Sequence, residues 1–187
     1  MARPLDQEKR TAILNAALRI IAIQGLGATT SLMAKEAGVS TGSLFTYFPD
    51  KLTLMNQLYL HIKSEVAGAL LEGFPVQGSI REKAFHIWQS YIRWACASPE
   101  KRSTLQQLNV SRSVTEITRQ QSSAMFDAVN QMLTEIGKSD ASQNVTFITA
   151  VMTSLAETTV EFSVNEPDKT EAYISDGFEM FWRGLGL

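Results

Sequence analysis

Apolar residues recur at three- and four-residue spacing along almost the whole chain. Between residues 6 and 24, Ile13, Leu14, Ala17, Leu18 and Ile21 form one stripe, the signature of a helix with a single buried face. Gly25 and Gly27 follow and stop it. Thr29 or Thr30 can cap a short second helix, Ser31 to Ala37, which ends at Gly38. Ser40 or Thr41 caps a third, brief helix that ends at Phe48-Pro49. Asp50 caps a fourth, long helix reaching Leu71, with Leu54, Met55, Leu58, Tyr59, Ile62 and Val66 on its apolar face.

The stretch E-G-F-P-V-Q-G, Glu72 to Gly78, reads as a loop. Ser79 and Glu82 then have capping-box spacing, in which the hydroxyl accepts from the third helical amide and the carboxylate reaches back. The helix they open carries Phe85, Trp88, Tyr91, Ile92 and Ala95. Ser98-Pro99-Glu100 starts another, with proline where its missing donor costs little. Ser113 and Glu116 repeat the capping-box spacing ahead of Ile117, Met125, Phe126, Val129, Met132, Leu133 and Ile136, and Gly137 closes that helix. In residues 141–164, Val145, Ile148, Met152, Leu155, Thr159 and Phe162 form a seam. Phe147, Val151 and Val160 lie on other faces, which predicts burial on more than one side. After the turn Asn165 to Asp168, a terminal helix carries Tyr173, Ile174, Phe178, Met180, Phe181 and Trp182 and must dock on something. No strand periodicity, repeat or low-complexity linker interrupts the pattern. The predicted fold is all-α, with about nine helices.

Composition narrows this picture only at its edges. The 187 residues are 44% hydrophobic and 19% charged, ordinary for a globular chain with a core. No run approaches the ~18 apolar residues of a membrane span, and the first ten residues lack the apolar region of a secretory signal. A lone cysteine, Cys96, excludes an internal disulfide framework and fits a reducing cytoplasm. The net charge of −2 is uneven: residues 1–63 carry +3 and the remainder −5. A mildly basic end on an acidic body suits a small DNA-contacting module followed by a different kind of domain, though so few charges can also fall this way by chance.

The segment E-A-G-V-S-T-G-S-L-F-T-Y-F-P-D-K, Glu36 to Lys51, breaks a helix, restarts it for barely two turns and stops it again. Two helices joined by a short glycine-containing turn are the helix-turn-helix pattern; spacing alone fits an ordinary helical hairpin equally well. Gly38 would supply the left-handed backbone angle of the turn, and Val39 and Leu44 would hold the two helices together. Residues 9–60, with A-K-E-A-G-V-S-T-G-S-L-F-T-Y-F-P-D-K-L-T-L at their centre, resemble the DNA-binding segment of the TetR family of bacterial repressors. The resemblance implies a DNA-binding domain at 1–50 and a ligand-binding and dimerisation domain at 51–187. It also implies a homodimer paired through the last two helices and double-stranded operator DNA as partner.

Carried over residue by residue, the family pattern puts Thr41, Gly42 and Phe45 near base edges, and Thr30, Ser43, Tyr47 and Lys51 near phosphates. Ser31 stands where a base-reading side chain can sit, and Thr46 where a basic or aromatic residue is common. Phe45 replaces the family's usual tyrosine, and no arginine lies between Arg19 and Arg81. The commonest guanine contact is therefore missing, so specificity should lean on apolar contacts, shape readout and half-site spacing.

Segments of the body, among them W-Q-S-Y-I-R-W at 88–94 and L-A-E-T-T-V-E-F at 155–162, are similar to a multidrug-responsive member of the same family. That resemblance implies a small hydrophobic or cationic effector, with Tyr59, Val66, Leu70, Ala84, Trp88 and Met152 at pocket positions; Tyr91 and Met125 extend this aromatic and methionine-rich set. Plain core packing explains the same residues one at a time. Met152 and Thr149 stand in place of an aromatic and an acidic residue, which puts an identical ligand range in doubt; Glu157 and Glu161 are expected to be exposed. An enzyme is disfavoured. Only His61, His86 and Cys96 are available as imidazole or thiol, no catalytic or P-loop motif is present, and no metal or other cofactor is called for. The chain therefore reads as a cytoplasmic ligand-responsive repressor with a role in multidrug efflux, the alternative being an activator or a regulator that answers to a metabolite.

Overall fold

A computed structural model describes residues 6–139 and 145–185. Within them the chain forms α1 (Gln7–Gln24), α2 (Thr30–Glu36), α3 (Thr41–Tyr47), α4 (Lys51–Leu71), α5 (Ile80–Ala97), α6 (Pro99–Val110), α7 (Glu116–Ala124), α8 (Asp127–Ser139), α9 (Val145–Asn165) and α10 (Thr170–Gly184). A single 3-10 turn, Pro167–Lys169, precedes α10. No strand occurs among the described residues, and no helix there is long and apolar enough to cross a membrane. The all-α expectation is met. Residues 141–144 of the expected penultimate helix lie outside the described residues.

Two expectations need correction. The sequence predicts one helix from the Ser113 cap to Gly137, but Met125 and Phe126 form a turn that separates α7 from α8, and α8 runs on to Ser139. Ser122-Ser123 and Asp127 supply the local reason: serine is a weak helix former, and an acid is favoured in a first helical turn. The cap of α7 is Thr115, whose hydroxyl accepts from the Thr118 amide at 3.2 Å, not Ser113. Ile117 is consequently 69% exposed, and Thr118 and Ser122 face inward instead.

The described chain divides into two compact units: residues up to Glu65 with Pro99–Ala124, and Val66–Ser98 with the residues from Met125 onward. In the first, Ile13, Leu14, Ala17 and Ile21 of α1, Met33 of α2, Leu44 of α3, Leu54, Leu58 and Ile62 of α4 and Leu108 of α6 are buried. Each such leucine, isoleucine or methionine side chain contributes about 1.5–3 kcal/mol, and the alanine methyl less. A buried polar clamp joins α4 to the start of α7. Asn56 donates to the Ser113 carbonyl at 2.8 Å and accepts from the Thr115 amide at 2.9 Å, so its amide leaves neither backbone group unsatisfied.

The second unit is organised around α5, α9 and α10. The expected capping box forms, with Glu82 accepting from the Ser79 amide at 2.7 Å. Trp88 is 1% exposed; its indole N–H donates to the Ile174 carbonyl at 2.9 Å, and its ring stacks on Phe181 with centroids 6.3 Å apart. Gly177 permits this approach, since a Cβ there would lie 2.6 Å from Thr159 Oγ1 and 2.9 Å from Trp88 Cζ2. That close contact corrects the predicted seam of α9. The inward line is Ile148, Met152, Ala156, Thr159, Val160 and Ser163, whereas Phe147 and Phe162 are exposed. Small residues take the inner face because α10 packs close to it; hydrophobicity alone favoured Leu155 and Phe162.

Candidate nucleic-acid interface

The short helices α2 and α3 are set by three local devices. Thr29 caps α2 by accepting from the Leu32 amide at 3.3 Å. At its other end Gly38 adopts φ +68°, while the Val39 amide returns to the Ala34 carbonyl at 3.0 Å. A Cβ at Gly38 would meet nothing within 4 Å, so the requirement there is backbone conformation, not space. Ser40 then caps α3 by accepting from the Ser43 amide at 3.1 Å. The turn thus swings the chain through a fixed angle with the Gly38 and Val39 amides occupied.

α3 is anchored from below and open above. Leu44 and the following Phe48 are fully buried, and the Arg10 guanidinium lies 5.5 Å over the Phe48 ring. Gly42, Phe45 and Thr46 are exposed, and Thr41, Ser43 and Tyr47 are half-buried at the margin. Phe45 exposes 40% of its surface on a seven-residue helix, which burial does not explain. A Cβ at Gly42 would find only Ser40 Oγ, at 4.0 Å, so this glycine keeps the outer face flat. The Thr46 hydroxyl donates to the Gly42 carbonyl at 3.1 Å, leaving its methyl as the outward group. The face is small, apolar and free of arginine, able to approach thymine methyls and groove walls.

Candidate phosphate-holding groups surround it. Thr30 is half-buried and Ser31 exposed at the start of α2. Lys51 begins α4 and donates to the Leu26 carbonyl at 2.7 Å, a bond that uses one of three ammonium donors and ties α4 to the loop after α1. Asp50 accepts from the Thr53 amide at 2.6 Å, and that bond holds its carboxyl below the usual aspartate range. Arg19 pairs with Glu36 at 2.8 Å across α1 and α2, so this exposed cation is already engaged.

Residues 13–58 match the family of bacterial regulatory proteins named tetR. Over that span the chain is similar to the head of tetR-type regulators. The HTH-type transcriptional regulator AcrR of Shigella flexneri is 32% identical over 93 residues, which are 46% of this chain and 43% of that protein. The match thus spans less than half of either. A protein from Shewanella sp. PV-4, described as a tetR family transcription regulator, superposes with a TM-score of 0.84 at 28% identity, covering 94% of this chain and 97% of its own. FadR of Bacillus subtilis in complex with stearoyl-CoA (TM-score 0.71, 19% identity, 91% and 96% covered) shares the fold. So does LfrR of Mycobacterium smegmatis in complex with proflavine (0.69, 17%, 94% and 96%).

Beyond residues 13–58, the sequence-predicted effector residues lie on α4, α5 and α9 and in the turn before α8. Tyr59, Val66 and Leu70 are buried on α4, Ala84 and Trp88 on α5 and Met152 on α9; Met125 is half-buried in the turn before α8. Trp88 is committed to Ile174, Gly177 and Phe181. Tyr91 lies 6.0 Å from Trp94, and its hydroxyl donates to Glu157, which is half-buried rather than exposed; Glu161 is exposed as expected. Sequence reasoning missed Lys63. Its Nζ sits 5.6 Å over the ring of Tyr59, and burial, followed by the charge of Arg119, holds its pKa below the usual lysine range. The signal was present, since Lys63 follows Tyr59 by four residues on the apolar face of α4.

Proposed function

We propose that this chain is a ligand-responsive transcriptional repressor, a cytoplasmic homodimer that binds a pseudo-palindromic operator and leaves it when a small effector binds the body. The observation that carries the reading is the exposed Gly42–Phe45–Thr46 face on a helix anchored by Leu44 and Phe48. In this reading residues 1–50 bind DNA and 51–187 serve ligand and dimer. The exposed apolar residues Phe147, Phe162, Val164 and Met180 on α9 and α10 support pairing through the last two helices. Selection of bound fragments from genomic DNA, followed by footprinting, tests the whole. Two protected half-sites about one helical turn apart (~34–36 Å) are expected, and selection of no sequence above background rejects the reading.

Control of multidrug efflux rests on the similarity to AcrR and on body segments, such as Y-I-S-D-G-F-E-M-F-W-R at 173–183, that resemble the multidrug-responsive regulator RamR. A cationic effector has one support in this chain, the half-buried Glu157 beside Tyr91 and Trp94. The second reading, a regulator that answers to a metabolite, is favoured by Lys63 and by the stearoyl-CoA complex of FadR.

A further inference from the structure

We propose that Arg10 is a positioning residue for α3: from α1 it holds the Phe48 ring and Gln57 of α4 in one place, and so sets the angle at which the Gly42–Phe45–Thr46 face meets DNA. This rests on the DNA-binding reading and adds a specificity determinant outside the face that touches bases.

Arg10 stands where helix electrostatics disfavour a cation. Asp6 caps the start of α1, accepting from the Glu8 amide at 2.9 Å, and the Arg10 amide donates to the Asp6 carbonyl at 3.1 Å. The positive end of the helix dipole lies there, so a basic residue needs a tertiary reason. Periodicity gives its direction. Arg10 precedes the buried Ile13, Leu14 and Ala17 by three, four and seven residues, which places it on the inner face of α1, and it is half-buried. One guanidinium nitrogen donates to Gln57 Oε1, and the guanidinium carbon lies 5.5 Å from the centroid of the Phe48 ring. A planar guanidinium can engage a ring and a directed acceptor together in one fixed geometry; a compact ammonium on a flexible stem cannot. All three residues belong to the first compact unit.

The two ends of α3 are fixed differently. Its start is set locally, by the Gly38 turn and by Ser40, which accepts from the Ser43 amide. Its end has neither a capping glycine nor a basic residue in the last turn. Phe48 closes the last backbone bond there, from its amide to the Leu44 carbonyl at 2.9 Å, in an extended conformation, and Pro49 prevents continuation. That end is therefore held by the fully buried Phe48 ring and by Arg10 against it. Gln57 in turn ties Arg10 to α4, whose first residue, Lys51, is bonded to the Leu26 carbonyl. Phe45 lies three residues before Phe48, so a shift of that ring displaces Phe45 and Thr46 as well. Base-edge contacts demand fixed distances and directions, whereas long flexible side chains follow phosphates over a range of positions. Loss of Arg10 should therefore lower selectivity before it lowers general affinity for DNA.

Anisotropy titration of the full chain against its selected DNA fragment and a scrambled duplex of equal length, over a range of salt, tests this. The temperature is one at which circular dichroism shows each variant folded. Arg10→Met should lose about tenfold for the selected fragment, the size of one impaired base contact. It should lose less than about twofold for the scrambled duplex, with both salt slopes unchanged. Arg10→Lys should lose nearly as much, because the charge returns without the planar geometry. Gln57→Leu should cost the selected fragment about threefold, the size of one hydrogen bond. Combined with Arg10→Met it should add nothing further, since both act through one contact. Full recovery in Arg10→Lys, with the salt slope of Arg10→Met flattened by ~1 unit, assigns Arg10 a phosphate contact and overturns the proposal. Equal losses on both duplexes, or a lower melting temperature with unchanged selectivity, overturn it in favour of packing alone. Additive losses for the pair overturn it as well. Should Arg10→Met fail to fold, Arg10→Lys and Gln57→Leu carry the same comparison. Failure of the two readings separates on the wild-type chain. If it selects a sequence and Arg10→Met selects it as strongly, this inference falls and the regulator stands; if no sequence is selected, the regulator reading falls and this inference with it.

Discussion

Aromatic side chains mean opposite things in the head and in the second compact unit. In the head, Phe45 stands 40% exposed on a seven-residue helix, while Phe48, three residues on, is fully buried and anchors it. In the second unit, Trp88, Phe178, Phe181 and Trp182 pack ring against ring, and even the indole N–H of Trp88 is committed to the Ile174 carbonyl. An exposed aromatic on a short anchored helix has no stabilising task, so contact with a partner explains it. An aromatic with every face engaged is already explained by the core. Residue type carries little functional information here; what each ring touches carries most of it.

Substitutions sharpen this contrast. The largest effect should come from Trp88→Ala, which leaves a large cavity and should cost about 3–5 kcal/mol by urea unfolding. A change below 1 kcal/mol would mean that Trp88 faces an open pocket after all. Gly177→Ala should cost about 1–3 kcal/mol, since its methyl would press on Thr159 and Trp88. In the head, Gly38→Ala forces an L-residue to φ +68° and should cost about 1–2 kcal/mol, although nothing crowds the new methyl.

Phe45→Ala should reverse the pattern of Trp88→Ala, with stability unchanged within about 0.5 kcal/mol and operator affinity reduced by about 1–3 kcal/mol. Reduced stability with intact DNA affinity would break the comparison. Lys51→Ala should weaken binding to all DNA sequences alike and flatten the salt dependence by ~1 unit, measured by anisotropy over a range of salt. Its bond to the Leu26 carbonyl adds a small stability loss that neutral-pH melting would detect. The smallest effect concerns pH. The folded carboxyl of Asp50 titrates below its unfolded value, so its stabilisation is present above about pH 4 and fades as pH falls through the folded pKa. Asp50→Asn should therefore flatten the acid side of the melting-temperature profile, and an unchanged acid slope would show that the cap contributes nothing.

The head was legible because its signals are local. Ser40, Gly38 and the spacing of Leu44 to Phe48 each act within one turn of helix, and the observed α3 differs from the expected span by one residue. The candidate effector residues were less legible. Periodicity put Trp88 on an inner face but could not say that Gly177 and Ile174 would occupy it. It passed over Lys63, because the neighbouring charge of Arg119 comes from a helix more than fifty residues away.

By itself, then, the sequence determined the helical class, most caps, and the helix-turn-helix with its arginine-free outer face. These follow from the helix period, from side-chain competition for backbone amides, and from the one backbone angle that glycine alone adopts without strain. The tertiary structure decided which line of α9 faces inward, where the helix after Thr115 breaks, and which aromatics are consumed by packing. Those outcomes depend on how closely two helices approach, and that distance is fixed jointly by side chains far apart in sequence. No local pattern records it.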